Sequence, residues 1–310
     1  MVKNYTLSFL FLLIVMPPRL YSQEIKIFKS TDFDLTGKVK SCLVITDYGK
    51  EEYDFDQDGL LTKSVTRYND DDYDVTYYKY KDGELLEKRL ENYRDKVFDK
   101  TTSIANFYTI DTTAARKVVE KIVSYEKTFL DQYEYLYDSE NKLVKIIRTN
   151  EDGNDETSID YNTYGDEQTI SYILNGVLQK SVRTSHKKGK DKTIENVVLT
   201  KKFLNGEPNT AMEEIFDTHG KIKVRTNFVF DEKKGQFSPE SIEKYTYDAA
   251  GILTKLETTV GETVEVKKYI HQFDNGETGN WVKQIITPDN AYTTRKITYY
   301  PAENTAVEKE

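Results

Sequence analysis

Asp54, Asp56 and Asp58, in the stretch Asp54-Phe55-Asp56-Gln57-Asp58-Gly59, place three carboxylates at alternate positions ahead of a glycine. This is the pattern of the first half of a calcium loop, in which hard oxygen ligands close on a divalent cation. The second half departs from it: the twelfth position is Val65, where a bidentate Glu would be needed, and no helices are predicted on either side. Asp54, Asp56 and Asp58 are therefore a candidate for no more than a weak extracellular calcium site. It stands against a plainer reading in which Asp56 caps a turn while Asp54 and Asp58 face water.

Other chemistry is sparse. His186, His219 and His271 fall in a basic stretch, a turn and a strand-like run, so no pair has the spacing of a zinc site. There is no Gly-x-Ser-x-Gly elbow, no Gly-x-Gly-x-x-Gly fingerprint and no phosphate loop, and no nucleotide or other cofactor is expected. A glycosidase needs only two suitably spaced carboxylates, and among 53 acidic residues such a pair cannot be located from sequence. No catalytic residue is assigned and a non-enzymatic protein is expected. The run His186-Lys187-Lys188-Gly189-Lys190-Asp191-Lys192 could contact anionic glycans, or be a solvated loop. Exposed Tyr side chains or Trp281 could stack on sugar rings, although most aromatics should be core or cross-strand pairs.

The elements that must carry these residues read as β-hairpins. A short phrase recurs: aromatic, Asp, two polar residues, Gly or Asn, any residue, Leu or Ile. Its clear copies are Phe55 to Leu61, Tyr137 to Leu143, Phe216 to Ile222 and Tyr247 to Leu253, with partial copies at Tyr80, Tyr161, Tyr172, Phe230 and Phe273. Asp opening a turn can accept hydrogen bonds from the N–H groups after it. Gly or Asn three residues later tolerates the left-handed conformation that closes a type I turn with a bulge. Upstream, aromatics recur at spacing two, as in Tyr53/Phe55, Tyr135/Tyr137 and Tyr245/Tyr247, so each pair shares one face of a strand. The stretch Thr112 to Lys127 is the exception, since Ala115, Val118, Val119, Ile122 and Val123 fit helical spacing while their β-branching equally suits a strand. The fold class expected is all-β: antiparallel hairpin repeats forming a twisted, coiled or partly closed sheet, with one short helix near 112–127 as an alternative to strand there.

The ends of the chain speak to its compartment. Lys3 followed by the apolar run Tyr5 to Met16 and Pro17-Pro18 reads as a signal peptide, residues 1–22, with cleavage after Ser22. No Cys follows that run, so the mature chain is expected to be exported to the periplasm or cell exterior and not to be a lipoprotein. Residues 23–302 should form a single hairpin-repeat domain, and 303–310 a charged tail. No long apolar run exists beyond the first twenty residues, and on that ground a membrane channel or transporter is excluded. The 39 aromatic residues argue against disorder, because they can bury enough surface to offset chain entropy. A net charge of −9 disfavours nucleic acid as a partner. Cys42 is alone, so no internal disulfide can form, and its β-like surroundings suggest a small buried side chain.

The phrase Tyr-Asp-x-x-Gly-x-Leu resembles the YD repeats of bacterial Rhs-type proteins, from Tyr53 to Phe273. The segments Asp274 to Lys283 and Thr294 to Tyr300 are similar to the ending of small exported relatives with such repeats. The resemblance implies successive hairpins in a coiled sheet, which in long members winds into a shell around a toxin domain. This chain is far shorter, lacks their terminal Asp-Pro dipeptide and carries no toxin-like segment. The resemblance then implies an extracytoplasmic binding or surface role. The partner would be a polysaccharide or an envelope protein, with a structural or assembly role in an Rhs-like complex as the alternative.

Overall fold

A computed structural model describes residues 25–189, 193–274 and 279–301. The signal peptide and the charged tail lie outside the described residues. Twenty strands succeed one another in antiparallel order, each hydrogen-bonded to its neighbours in sequence, from β1 (Val39–Thr46), β2 (Gly49–Phe55) and β3 (Leu61–Arg67) onward. The last, β20 (Ala291–Tyr299), pairs with β1, so the sheet closes into a 20-stranded barrel. The expectation of a twisted or partly closed sheet is thereby sharpened: closure leaves no sheet edge to protect. Counting apolar runs tests only helices, so the sequence-based exclusion of a channel does not extend to this architecture. Among the described residues no helix is long and apolar enough to cross a membrane.

The helix alternative near 112–127 is corrected. Lys117–Ser124 is β7, flanked by a loop and a turn. Val118, Glu120 and Ile122 pair with the inward residues Ile110, Tyr108 and Asn106 of β6 (Val97–Asp111), while Val119, Lys121 and Val123 point outward. Apolar residues on both faces of one strand imitated a helical spacing. The remaining helical element among the described residues is a single 3-10 turn, Ser30–Phe33.

The hairpin tips explain the repeated phrase. In all four clear copies one Asp oxygen accepts two N–H groups: Asp56 from Asp58 and Leu60, Asp138 from Glu140 and Lys142, Asp217 from His219 and Lys221, Asp248 from Ala250 and Ile252, at 2.8–3.0 Å. Gly59, Asn141, Gly220 and Gly251 sit at φ between 61° and 79°, the region where glycine and asparagine are tolerated. Each tip joins an even strand to the next odd one, so all four lie on one rim. A second bond ties three of these tips to the next strand pair along the chain. The Tyr80 hydroxyl donates to the Leu61 carbonyl, Tyr161 to Leu143 and Tyr247 to Ile222, at 2.9–3.0 Å, so an aromatic from one repeat holds down the tip before it.

Side chains alternate faces along each strand. One face carries the three core clusters, with Leu85, Val118, Leu143, Ile146, Ile159, Ile170 and Tyr172 in the largest; Cys42, Val44, Phe55 and Leu61 in the second; Phe216, Ile222 and Tyr245 in the third. This is the inner face. Residues 25–37 run across the tip rim against it. Phe33 packs on Tyr53 and Phe55, its ring centre 4.4 and 5.6 Å from theirs, and Phe28 lies 6.2 Å from Tyr78. The buried Arg295 guanidinium donates to the Phe33 carbonyl at 3.1 Å, and Asn280 brackets the Thr36 backbone. The outer face is polar, with cross-strand ion pairs such as Arg67–Glu52, Lys117–Glu134, Lys145–Glu156 and Lys244–Glu257 distributed around the ring.

Candidate functional site

The carboxylates proposed for calcium are pulled in different directions by the β2–β3 tip. Asp56 turns back on the tip's own N–H groups, Asp54 points outward to Lys63 at 3.7 Å, and Asp58 sits exposed at the turn. Among the described residues no three His, Cys, Asp or Glu side chains group as a metal would require. The histidines are likewise apart: His186 lies on β12 (Val177–Lys188), His219 at an exposed tip, and His271 on β18 (Thr263–Phe273) against Gln284. Burial lowers the His271 pKa. Cys42 is buried on the inner face, where desolvation pushes its thiol up to about 11, away from nucleophilic chemistry. Trp281 does not offer a ring to solvent. It is buried beneath the Arg295 guanidinium, 3.4 Å from the ring centre.

A row of half-buried aromatics lies on the outer wall between β3 and the turn after β7. Register places Tyr73 of β4 (Tyr73–Lys81) beside Tyr93 of β5 (Glu84–Arg94), and Tyr93 beside Phe98 of β6. Tyr125, in the turn after β7, completes the row. The rings of Tyr73 and Tyr93 stack with centres 4.7 Å apart at 11°. Phe98 lies 5.6 Å from Tyr93, and Tyr125 4.8 Å from Phe98. All four are half-buried. Tyr77 and Phe107 extend the wall along the strands, 38% and 44% exposed. Val75 and Ala105, on the same face as these rings, are buried.

Polar groups fix this row. Glu91 accepts from the Tyr93 hydroxyl at 3.0 Å and from Tyr125 at 2.5 Å. Desolvation, then the hydrogen bond and charge of Glu91, push Tyr93 up to about 12, and the same causes raise Tyr125, so both hydroxyls remain protonated donors near neutrality. Arg67 lies over the Tyr73 ring at 4.8 Å while ion-paired with Glu52, and Arg89 is paired with Glu87. The cations at the wall are thus balanced by carboxylates. The result is a ledge of four rings about three strand spacings long, roughly 15 Å, with hydroxyl, carboxylate and guanidinium groups at its margins. Tyr73 and Tyr93 turn their faces to each other, with Arg67 over Tyr73, so the row offers mainly ring edges, hydroxyls and their polar margin to a ligand. Sequence reasoning paired aromatics along strands and missed this row, which runs across them and depends on register.

No family model matches the sequence, and no curated protein matches it. Among solved structures, a porin-like protein from Bacteroides uniformis ATCC 8492 is 11% identical, covering 85% of this chain and 99% of its own, with a TM-score of 0.31. A porin-like protein from Bacteroides vulgatus ATCC 8482 has the same identity and coverages with a TM-score of 0.22. A protein of unknown function from Bacteroides fragilis NCTC 9343 is 9% identical over 55% of this chain and 91% of its own, at 0.19. At such scores these likenesses add nothing to what the strand pairing itself shows.

Proposed function

We propose that this chain is an exported, non-enzymatic YD-repeat-like barrel that binds glycan on the aromatic ledge Tyr73, Tyr93, Phe98 and Tyr125. The observation that carries the reading is the ledge itself: four adjoining half-buried rings on a wall whose charges are already paired. A neutral sugar chain offers a matching surface, with C–H groups for the outward parts of the rings and hydroxyls for Glu91 and Arg67. The barrel serves as a rigid scaffold that fixes the rings by register, so little ordering entropy is lost on binding.

The outer wall favours a protein bathed in water over one embedded in lipid. Lys63, Arg67, Lys117, Lys145 and Arg183 all point outward and engage acids on neighbouring strands. A Lys or Arg facing hydrocarbon at mid-bilayer costs about 2–4 kcal/mol. On this reading the mature chain works in the periplasm or outside the cell.

Isothermal titration of the mature chain with neutral oligosaccharides of one to six units, with calcium and with chelator, tests the reading. Affinity should rise with length up to about three or four units, the span of the ledge, and then level off, with chelator making no difference. Heat release that is absent for every length and sugar type tested would remove the glycan reading. A second reading, docking to an envelope protein, rests on a different face: Val264, Val266 and Ile270 of β18 and Tyr292 of β20 form an exposed apolar stretch on the outer side of the barrel. Co-purified partners lost on replacing Val264 and Ile270 by Asp, with glycan titrations silent, would favour it.

A further inference from the structure

The two rims of the barrel differ in chemistry. One carries the repeat tips. The other is formed by the ten turns that lead from each odd strand to the next even one, and it lies wholly within the described residues. Between its strand ends it holds eleven Asp or Glu against four Lys. Turns are ordinarily polar, because Gly, Asn and Asp suit their backbone. Here large apolar side chains stand open beside the acids. Tyr48, Tyr68 and Val97 are 82%, 56% and 67% exposed, and Val177, Leu204 and Val260 continue the series around the ring.

Where β1 to β6 reach this rim, three successive turns lock together. A Cβ at Gly49 would meet the Arg67 carbonyl oxygen, so the turn after β1 packs directly on the end of β3. Asp95 donates its N–H to the Asp72 carboxylate at 3.0 Å, and Lys96 its N–H to the Asp71 carbonyl at 2.8 Å, which joins the turn after β3 to the turn after β5. The Tyr68 hydroxyl donates to Asp74 at 2.8 Å. Strand alternation puts Asp74, Arg94 and Val97 on the inner side of the rim, opposite to Tyr73, Tyr93 and Phe98 of the ledge. The three turns span about four strand spacings, roughly 20 Å.

The cations of this corner are taken: Lys50 by Asp70, Lys96 by Asp71 and Arg94 by Asp74. Asp47, Asp72 and Asp95 form no ion pair with a described residue. Three exposed apolar side chains and three unbalanced carboxylates therefore share one pre-organised surface. We propose that this corner of the rim docks a basic, amphipathic polypeptide segment, with its Lys or Arg side chains on Asp47, Asp72 and Asp95 and its apolar side chains on Tyr48, Tyr68 and Val97. The carboxylates decide the occupant, since an anionic membrane surface, or the same acidic rim of a second copy, would be repelled. The locked turns lose little freedom on docking. This surface faces away from the aromatic ledge, and neither reading needs the other.

The test follows the fluorescence anisotropy of a labelled amphipathic Leu/Lys peptide titrated with the mature chain, beside the same peptide with Glu for Lys and beside oligolysine. The Leu/Lys peptide should bind saturably, and more weakly as salt rises. Oligolysine should bind less tightly, because it lacks the apolar part, and the Leu/Glu peptide not at all. Tyr48→Ser/Val97→Ser should weaken binding of the Leu/Lys peptide about tenfold, the effect of losing two apolar contacts. Asp47→Asn/Asp95→Asn should weaken it about threefold and flatten its salt dependence, as expected for two surface ion pairs. All four side chains are exposed, so both variants should keep the parent melting temperature. No saturable binding of the Leu/Lys peptide, equal binding of the Leu/Glu peptide, undiminished binding by either variant, or sedimentation of the chain with vesicles of phosphatidylcholine and phosphatidylglycerol would each overturn the site.

Discussion

Replacing Asp248 by Ala isolates the feature that recurs through the chain. The Asp248 carboxylate accepts the Ala250 N–H at 3.0 Å and the Ile252 N–H at 2.8 Å, while two backbone bonds of the same tip, Gly251 to Asp248 and Asp248 to Ile252, do not involve the side chain. Alanine removes the first pair and leaves the second. A hydrogen bond contributes about 0.5–1.5 kcal/mol net, and water can reach these exposed N–H groups, so the loss is about 1–2 kcal/mol, similar to deleting a helix cap. For a chain of this size that lowers the melting temperature by about 2–6 °C. Asp248→Asn keeps an acceptor oxygen and should cost under about 0.5 kcal/mol. Asp58→Ala, at an exposed tip position whose side chain makes no hydrogen bond or ion pair with a described residue, serves as the control and should stay within about 0.5 kcal/mol of the parent. Differential scanning calorimetry of the three variants decides. Asp248→Ala and Asp58→Ala melting within about 1 °C of each other, well inside the expected difference, would refute the account of the repeat.

Single contacts carry further expected outcomes. Tyr161→Phe removes the hydroxyl bond to the Leu143 carbonyl at 3.0 Å and should cost about 1 kcal/mol in urea unfolding at unchanged m-value. Cys42, buried with its thiol at about 11, should not react with a disulfide reagent at pH 8 in the folded chain, and should react at once in denaturant. Hydroxyl bonds from Thr101 and then Thr102, with the Thr101 N–H, hold the Asp99 carboxyl down to about 2 from its ordinary 3.8. A depressed folded value stabilises above the unfolded pKa and is lost as pH falls, so stability carried by Asp99 should disappear between about pH 4 and pH 2. Asp99→Asn should flatten the stability curve in that window, as measured by acid unfolding.

The hairpin tips were legible because their chemistry is local: an Asp and a Gly or Asn three residues apart specify a turn wherever they stand. Four copies therefore located four of the turns on one rim, and the structure places each Asp oxygen on the N–H groups its position implies. Closure was not legible. It depends on β20 meeting β1 from opposite ends of the chain, through pairs such as Cys42 with Ile297 that carry no local signal. Strand β7 was ambiguous because apolar residues occupy both its faces, which hides the two-residue period. Trp281 could be read from sequence as a sugar platform, yet its position at the start of β19 (Trp281–Thr287) faces it inward, onto Arg295. The ledge was missed for a related reason. Tyr73, Tyr93, Phe98 and Tyr125 lie on four successive structural elements and become neighbours only once register is fixed.

Affinity electrophoresis tests the central claim most directly. The folded mature chain and its Tyr93→Ala/Phe98→Ala variant would run side by side through native gels with and without neutral polysaccharides. The account predicts that at least one polysaccharide retards the parent chain and that the variant, equally folded by circular dichroism, runs free in the same gel. Retardation of both chains alike, or of neither in any gel, would contradict it.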